Sequence, residues 1–193
     1  MKSNKRIYTR YGDEGETGLL YGGRVSKNNL HCQAYGDTDE ACSAMGLARA
    51  LSDDSKVKTL LKKLQRELFT IGAELATAPE GYDKYLLHFT PVTPDMVEDL
   101  ERTVDELIKS VELPPSFIIP GASATSSALD IARCVVRRAE RHAVKLKEEG
   151  SLTNLEILRY LNRLSDLLFV LARYQDRDLR LEKLTGDDIE ECK

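Results

Sequence analysis

Four arginines, Arg133, Arg137, Arg138 and Arg141, fall between Ala132 and His142 with one carboxylate, Glu140, among them. At helical spacing Arg133, Arg137, Glu140 and Arg141 share a face. Arg138 lies about 100° round from Arg137. Guanidinium groups stay charged and grip phosphate oxygens through forked N–H donors, so this strip suits a polyphosphate. A second cluster lies near the N-terminus. Ile7 to Gly23 carries Gly12, Gly15, Gly18, Gly22 and Gly23, interleaved with Thr9, Arg10, Tyr11 and Thr17, and Arg24 and Lys27 follow. Glycine lets backbone N–H groups approach a ligand closely, and the hydroxyls and cations around it can cradle phosphate. The spacing is not that of a Walker A loop. Arg159, Asn162, Arg163 and Asp166 form a polar face within a leucine-rich stretch. Such a face has to be paired, ligand-facing or solvent-facing. His31, His88 and His142 are scattered, and neither a Ser/His/Asp nor a Cys/His arrangement is evident. E-x-x-H pairs for a di-iron centre are lacking, and no residue is assigned as a metal ligand. These parts suit binding a nucleoside triphosphate and stabilising charge on a leaving phosphate chain, rather than acid–base or covalent catalysis.

Helices must position these groups. Ala122 to Lys147 reads as one long helix with a buried stripe of Leu129, Ala132, Val136, Ala139 and Ala143, ending at Gly150. The first helix is expected to begin near Asp37, with Asp37 and Glu40 as a capping pair, and to run through Met45 to Leu51. Asp39 and Glu40 then lie at its positive end. A second helix is expected over about Lys56 to Ala78, stopped by Pro79 and Gly81. Residues 79–92 read as a loop holding Tyr82, Tyr85, His88 and Phe89. Thr93 and Pro94 open a third helix with an acidic outer face. Pro114, Pro115 and Pro120 stiffen the link that carries Phe117 and Ile118. The final helix is expected over about 154–176, opened by a Thr153/Glu156 capping box, with Leu158, Leu161, Leu164, Leu168 and Leu171 as its seam.

The sum is an all-α, up-and-down bundle of four or five helices. The chain of 193 residues, 41% hydrophobic, suits a single domain with a sizeable core. It divides into an irregular nucleotide-binding segment (1–35), the bundle (36–177) and a tail (178–193). A net charge of −4 argues against general nucleic-acid affinity. Cys32, Cys42, Cys134 and Cys192 lack metal-ligand spacing and read as reduced thiols of a cytoplasmic protein. No apolar run reaches ~18 residues, so no membrane span is expected, and the N-terminus has no secretory h-region.

Several blocks, in order, resemble the PduO-type ATP:cob(I)alamin adenosyltransferases. They are Tyr8 to Thr17, Gly23 to Lys27, Ala34 to Glu40, Phe117 to Gly121, Arg133 to Arg141, and Asn162 to Asp166 with Leu168, Phe169, Ala172 and Arg173. Tyr11 departs from the small residue usual in that family, and Ala122 stands where a second glycine is common. The resemblance implies a five-helix, ferritin-like bundle forming a homotrimer with sites between subunits. It implies ATP, Mg²⁺ and cobalamin as ligands, and transfer of the 5′-deoxyadenosyl group of ATP to Co(I). By position, Thr9, Arg10, Tyr11, Gly12, Thr17, Gly18 and Lys27 would wrap the triphosphate. Arg137, Arg138, Ala139, Glu140, Arg141 and Asn162 would hold phosphates and nucleoside. Arg133 would pair with Asp39 of the partner subunit, and Phe117 would sit under the corrin. A reductase and an adenosylcobalamin-dependent enzyme are the implied protein partners. The alternative is a non-catalytic regulatory bundle that binds nucleotide through the same residues.

Overall fold

Leucine and alanine at three- and four-residue steps build the frame. The computed structural model describes residues 7–184. Two short strands, β1 (Glu16–Gly18) and β2 (Arg24–Ser26), pair antiparallel, with Thr17 opposite Val25. Six helices follow: α1 (Leu30–Leu51), α2 (Ser55–Leu75), α3 (Tyr82–Leu86), α4 (Pro94–Leu107), α5 (Ala124–Glu148) and α6 (Glu156–Gln175). Five are long and α3 is a single short turn. In the bundle α5 lies between α1 and α6, α2 packs on α1, and α4 packs on α6.

The α5 stripe is buried as its spacing requires: Leu129, Ala132, Val136, Ala139 and Ala143 are all in the core. Its alanines let α5 sit close to both neighbours. On α6, Leu161, Leu164, Leu168 and Leu171 are fully buried, each contributing about 2 kcal/mol of transfer free energy. Ser123 and Ser126 cap α5 reciprocally. The same end carries a buried ion pair, Arg173 Nη2 to Asp130 Oδ2 at 2.5 Å, which ties α6 to α5.

Several boundaries differ from expectation. Helix α1 begins at Leu30 rather than near Asp37, because Asn29 accepts the His31 N–H at 2.9 Å and caps it. Asp37 and Glu40 are no cap; both turn towards α5. The irregular segment therefore ends before residue 30, not at 35. Helix α2 is capped by Asp54 and stops at Leu75 instead of Ala78. The backbone beyond it is taken by the hairpin: Leu20 N–H donates to Ala76 O at 2.8 Å and Ala78 N–H to Tyr21 O at 3.1 Å. Residues 79–92 are not a plain loop, since a 3-10 turn (Pro79–Gly81) leads into α3. At α6 Asn154 rather than Thr153 accepts the Glu156 N–H, at 3.0 Å. The tail folds back on the Phe117 link through Ile119 N–H to Glu182 O and Leu184 N–H to Phe117 O, both 2.9 Å. Cys192 lies outside the described residues.

Candidate nucleotide and corrinoid site

The hairpin gathers the first group of candidate residues. Lys27 N–H donates to Gly15 O at 2.8 Å, closing the turn on itself. Gly12 lies so close that a Cβ there would stand 2.9 Å from Lys27 Nζ. That contact places the Lys27 ammonium over the turn, and Lys27 has no carboxylate partner among the described residues. Arg24 braces the turn, with Nε 3.1 Å from Glu16 Oε2 and Nη2 donating to Tyr11 O at 2.8 Å. Arg10 has φ of 65°, an uncommon conformation for a side-chain-bearing residue. Its guanidinium lies 5.6 Å from the Tyr8 ring centroid. Thr9 and Tyr11 are exposed; Thr17 and Gly18 lie in β1. Beneath them the Tyr35 hydroxyl is pushed up to about 12, first by burial and then by Cys32, with the Thr17 hydroxyl opposing.

Helix α5 presents its arginines in different states. Arg137 and Arg141 are exposed and without ion-pair partners among the described residues. Arg141 Nη1 donates to Arg137 O at 2.9 Å. Arg138 is engaged: Nε lies 2.9 Å from Asp37 Oδ1 and Nη2 donates to Glu40. The Asp37 hydrogen bond holds its proton more firmly than usual, with burial opposing. His142 Nδ1 stands 2.8 Å from the other Asp37 oxygen. Arg133 Nε contacts Asp130 Oδ1 at 3.2 Å. Ala139 is 1% exposed, so its methyl belongs to the core and cannot contact a ligand at the surface.

The polar face of α6 meets these arginines. Asn162 Nδ2 donates to Glu140 Oε1 at 3.2 Å, and Arg163 Nη1 donates to Asn162 Oδ1 at 2.9 Å. Arg163 Nε also reaches Glu101 of α4 at 2.7 Å. Phe117 is 82% exposed on its stiff link. Asp39 is exposed on the rim of an apolar groove of about 320 Å³, lined by Tyr35, Cys42, Leu68 and Phe69 of α1 and α2.

Among the described residues no hydrogen bond or ion pair joins the hairpin to Arg137, Arg138, Arg141 or Asn162, and none joins Asp39 to Arg133. Within one chain these groups thus stay unconnected by such contacts among the described residues. Sequence reasoning missed the Asp37–His142 contact; the i, i+4 spacing of Arg138 and His142 was the available signal, because two such side chains can share one acidic partner.

A family model described as cobalamin adenosyltransferase matches residues 7–175. The corrinoid adenosyltransferase PduO of Salmonella typhimurium is 39% identical over 175 residues, covering 89% of this chain and 50% of that one. The chain therefore spans about half the length of that relative. A corrinoid adenosyltransferase of Mycobacterium leprae is 39% identical over 189 residues, covering 95% of this chain and 94% of its own. A solved structure of a phenylalanine-to-alanine variant of the PduO-type ATP:corrinoid adenosyltransferase from Lactobacillus reuteri, complexed with cobalamin and ATP, superposes with a TM-score of 0.85. It is 31% identical and covers 94% of this chain and 100% of its own. With the family model matched over residues 7–175 and a relative 39% identical over most of both chains, the chain belongs to the cobalamin adenosyltransferase family.

Proposed function

We propose that the protein transfers the 5′-deoxyadenosyl group of ATP to Co(I) of a corrinoid, giving adenosylcobalamin and triphosphate. The observation that carries this reading is the pair of exposed guanidinium groups of Arg137 and Arg141, without ion-pair partners among the described residues, beside the Asn162 face. The cobalamin and ATP named for the Lactobacillus reuteri structure support both substrates. Cobalt is the nucleophile: a Co–C bond forms at C5′ as the C5′–O bond breaks, and the electron pair leaves on triphosphate. The protein's work is positioning and charge stabilisation. Thr9, Arg10, Tyr11, Gly12, Thr17, Gly18 and Lys27 would wrap the triphosphate. Arg137 and Arg141 would take up its growing charge, and Arg138 keeps Nη1 for the same task. Glu140 and Asn162 would hold the nucleoside. Phe117 would pack against the corrin and keep water off cobalt.

Mg²⁺ enters this reading with ATP, because it keeps several waters and binds chiefly through phosphate oxygens. The hydroxyls of Thr9 and Thr17 fit that role better than a carboxylate cage would. Its chemistry would be neutralisation of phosphate charge. Among the described residues no hydrogen bond or ion pair joins the hairpin to the α5 arginines or Asp39 to Arg133, which supports completion between copies, as a homotrimer in which Arg133 meets Asp39 of the partner subunit. The proposed setting is the cytoplasm, with a reductase supplying Co(I) and an adenosylcobalamin-dependent enzyme receiving product. No helix among the described residues is long and apolar enough to cross a membrane.

The test is an anaerobic assay with chemically reduced cob(I)alamin and Mg·ATP. Protein-dependent loss of the Co(I) absorbance, with a light-sensitive product and released triphosphate, is the expected result. ATP binding without turnover would overturn it in favour of a nucleotide-binding regulatory protein.

A further inference from the structure

Glu74, near the C-terminal end of α2, is 4% exposed, and no cation pairs with it among the described residues. A buried carboxylate without a counter-charge is costly unless its oxygens are fully hydrogen-bonded. Here three neutral donors converge on it. Tyr82 Oη at 2.5 Å and Asn154 Nδ2 at 2.7 Å donate to Oε1, and Val92 N–H at 2.9 Å donates to Oε2. Asn154 also donates to Val92 O at 2.9 Å. The carboxylate thus gathers the end of α2, the 82–92 segment and the α5–α6 link at one point.

The hairpin rests on what this point holds. Tyr85 stacks on Tyr82 at 5.7 Å and on Phe89 at 5.2 Å between ring centroids. Phe89 meets the Tyr21 ring edge-on at 6.5 Å, and His88 stacks on Tyr21 at 6.4 Å. The Tyr21 backbone is seated too, through the hydrogen bonds of residues 20 and 21 to Ala76 and Ala78. Gly81 approaches so closely that a Cβ would lie 2.2 Å from Tyr21 O. Tyr21 lies in the turn between β1 and β2. Those strands carry Thr17 and Gly18, and Lys27 follows β2 directly.

We propose that Glu74 is a positioning residue for ATP: through Tyr82, the aromatic stack and Tyr21 it sets the placement of the hairpin that holds the triphosphate. The inference rests on the reading of that hairpin as the nucleotide loop. Val92 O already accepts from Asn154, and Asn154 Oδ1 already accepts from Glu156 N–H, so a glutamine at position 74 leaves an amide N–H facing a donor.

The test compares steady-state kinetics of the full chain and its variants under anaerobic conditions. Glu74→Gln is expected to raise KM for ATP about tenfold, with kcat at saturating ATP and KM for cob(I)alamin within about threefold of the parent. Tyr82→Phe removes one hydrogen bond and leaves the ring stack, and is expected to move ATP KM in the same direction. Tyr21→Ala should reproduce the effect and Tyr21→Phe should restore it, because the ring makes the contact. If Glu74→Gln does not fold, Tyr82→Phe and the Tyr21 pair decide. Unchanged ATP KM in Tyr82→Phe and in any folded Glu74→Gln overturns the inference, as does a parallel rise in both KM values. Lys27→Ala separates the two levels: unchanged ATP KM there removes the hairpin reading and the inference with it. Raised KM in Lys27→Ala beside normal Glu74→Gln and Tyr82→Phe removes the inference alone.

Discussion

Arg137 and Arg138 are adjacent, yet among the described residues only Arg138 has a carboxylate partner. Arg138 lies against Asp37 and Glu40, while Arg137 is exposed on α5 without an ion-pair partner among the described residues. Truncating Arg137 opens no core cavity, so the loss should fall on chemistry. Arg137→Ala is expected to lower kcat/KM for adenosyl transfer at least about 100-fold, as removal of a transition-state charge partner does. Its thermal midpoint should stay within about 2 °C of the parent, a shift worth at most about 1 kcal/mol. Steady-state assay and a thermal scan on the same preparation check both. Asp130 is the opposite case: it neutralises Arg173, which is 2% exposed. Asp130→Asn leaves that guanidinium buried and uncompensated, and should cost about 3 kcal/mol in urea unfolding. The identities of the exposed cations were legible from their spacing. Which of them a remote acid would claim was not, because Asp37 and Arg138 are 101 residues apart and no local pattern links them.

Helix α5 was legible because its apolar stripe and its cationic face have the same period and different phase. The start of α1 was not, because Asp37 and Glu40 imitate a capping box while the cap in use is Asn29, whose surroundings show no apolar periodicity. The hairpin seat was equally hidden, since it is made of main-chain bonds and two close glycine approaches, at Gly22 and Gly81. Gly81→Ala should push the hairpin off α2. Trypsin is then expected to cut at Arg10, Arg24 or Lys27 several-fold faster, with the bundle's thermal midpoint little changed, because hairpin opening is a local event. Helix α3 adds a pH signature. Tyr85 is fully buried and its hydroxyl is pushed up to about 12, first by burial and then by the Glu74 carboxylate. An unfolded tyrosine titrates near 10, so the folded state keeps a proton that the unfolded state gives up. That stabilisation is complete below about pH 10 and is lost as pH rises towards 12. Tyr85→Phe should flatten the fall of the urea midpoint over that range.

At the scale of the whole molecule, the bundle shape followed from composition and periodicity, while the separation of Asp39 from Arg133 within one chain did not. Asp39 opens on the α1–α2 groove and Arg133 lies by Asp130 on the α6 side. Asp39→Ala and Arg133→Ala are each expected to lose most activity alone. Co-refolded together they should recover part of it, since some interfaces would then join an intact Asp39 to an intact Arg133. No recovery, with mixed oligomers present by mass, would place both residues in one copy's site. The same separation bears on dominance. In the proposed inter-subunit arrangement, a copy that lends one part of a site to each neighbour spoils more sites than its own share when both parts are damaged. A cell carrying mixed copies would then lose activity faster than the fraction of defective chains, whereas damage to one part alone would cost activity only in proportion to that fraction.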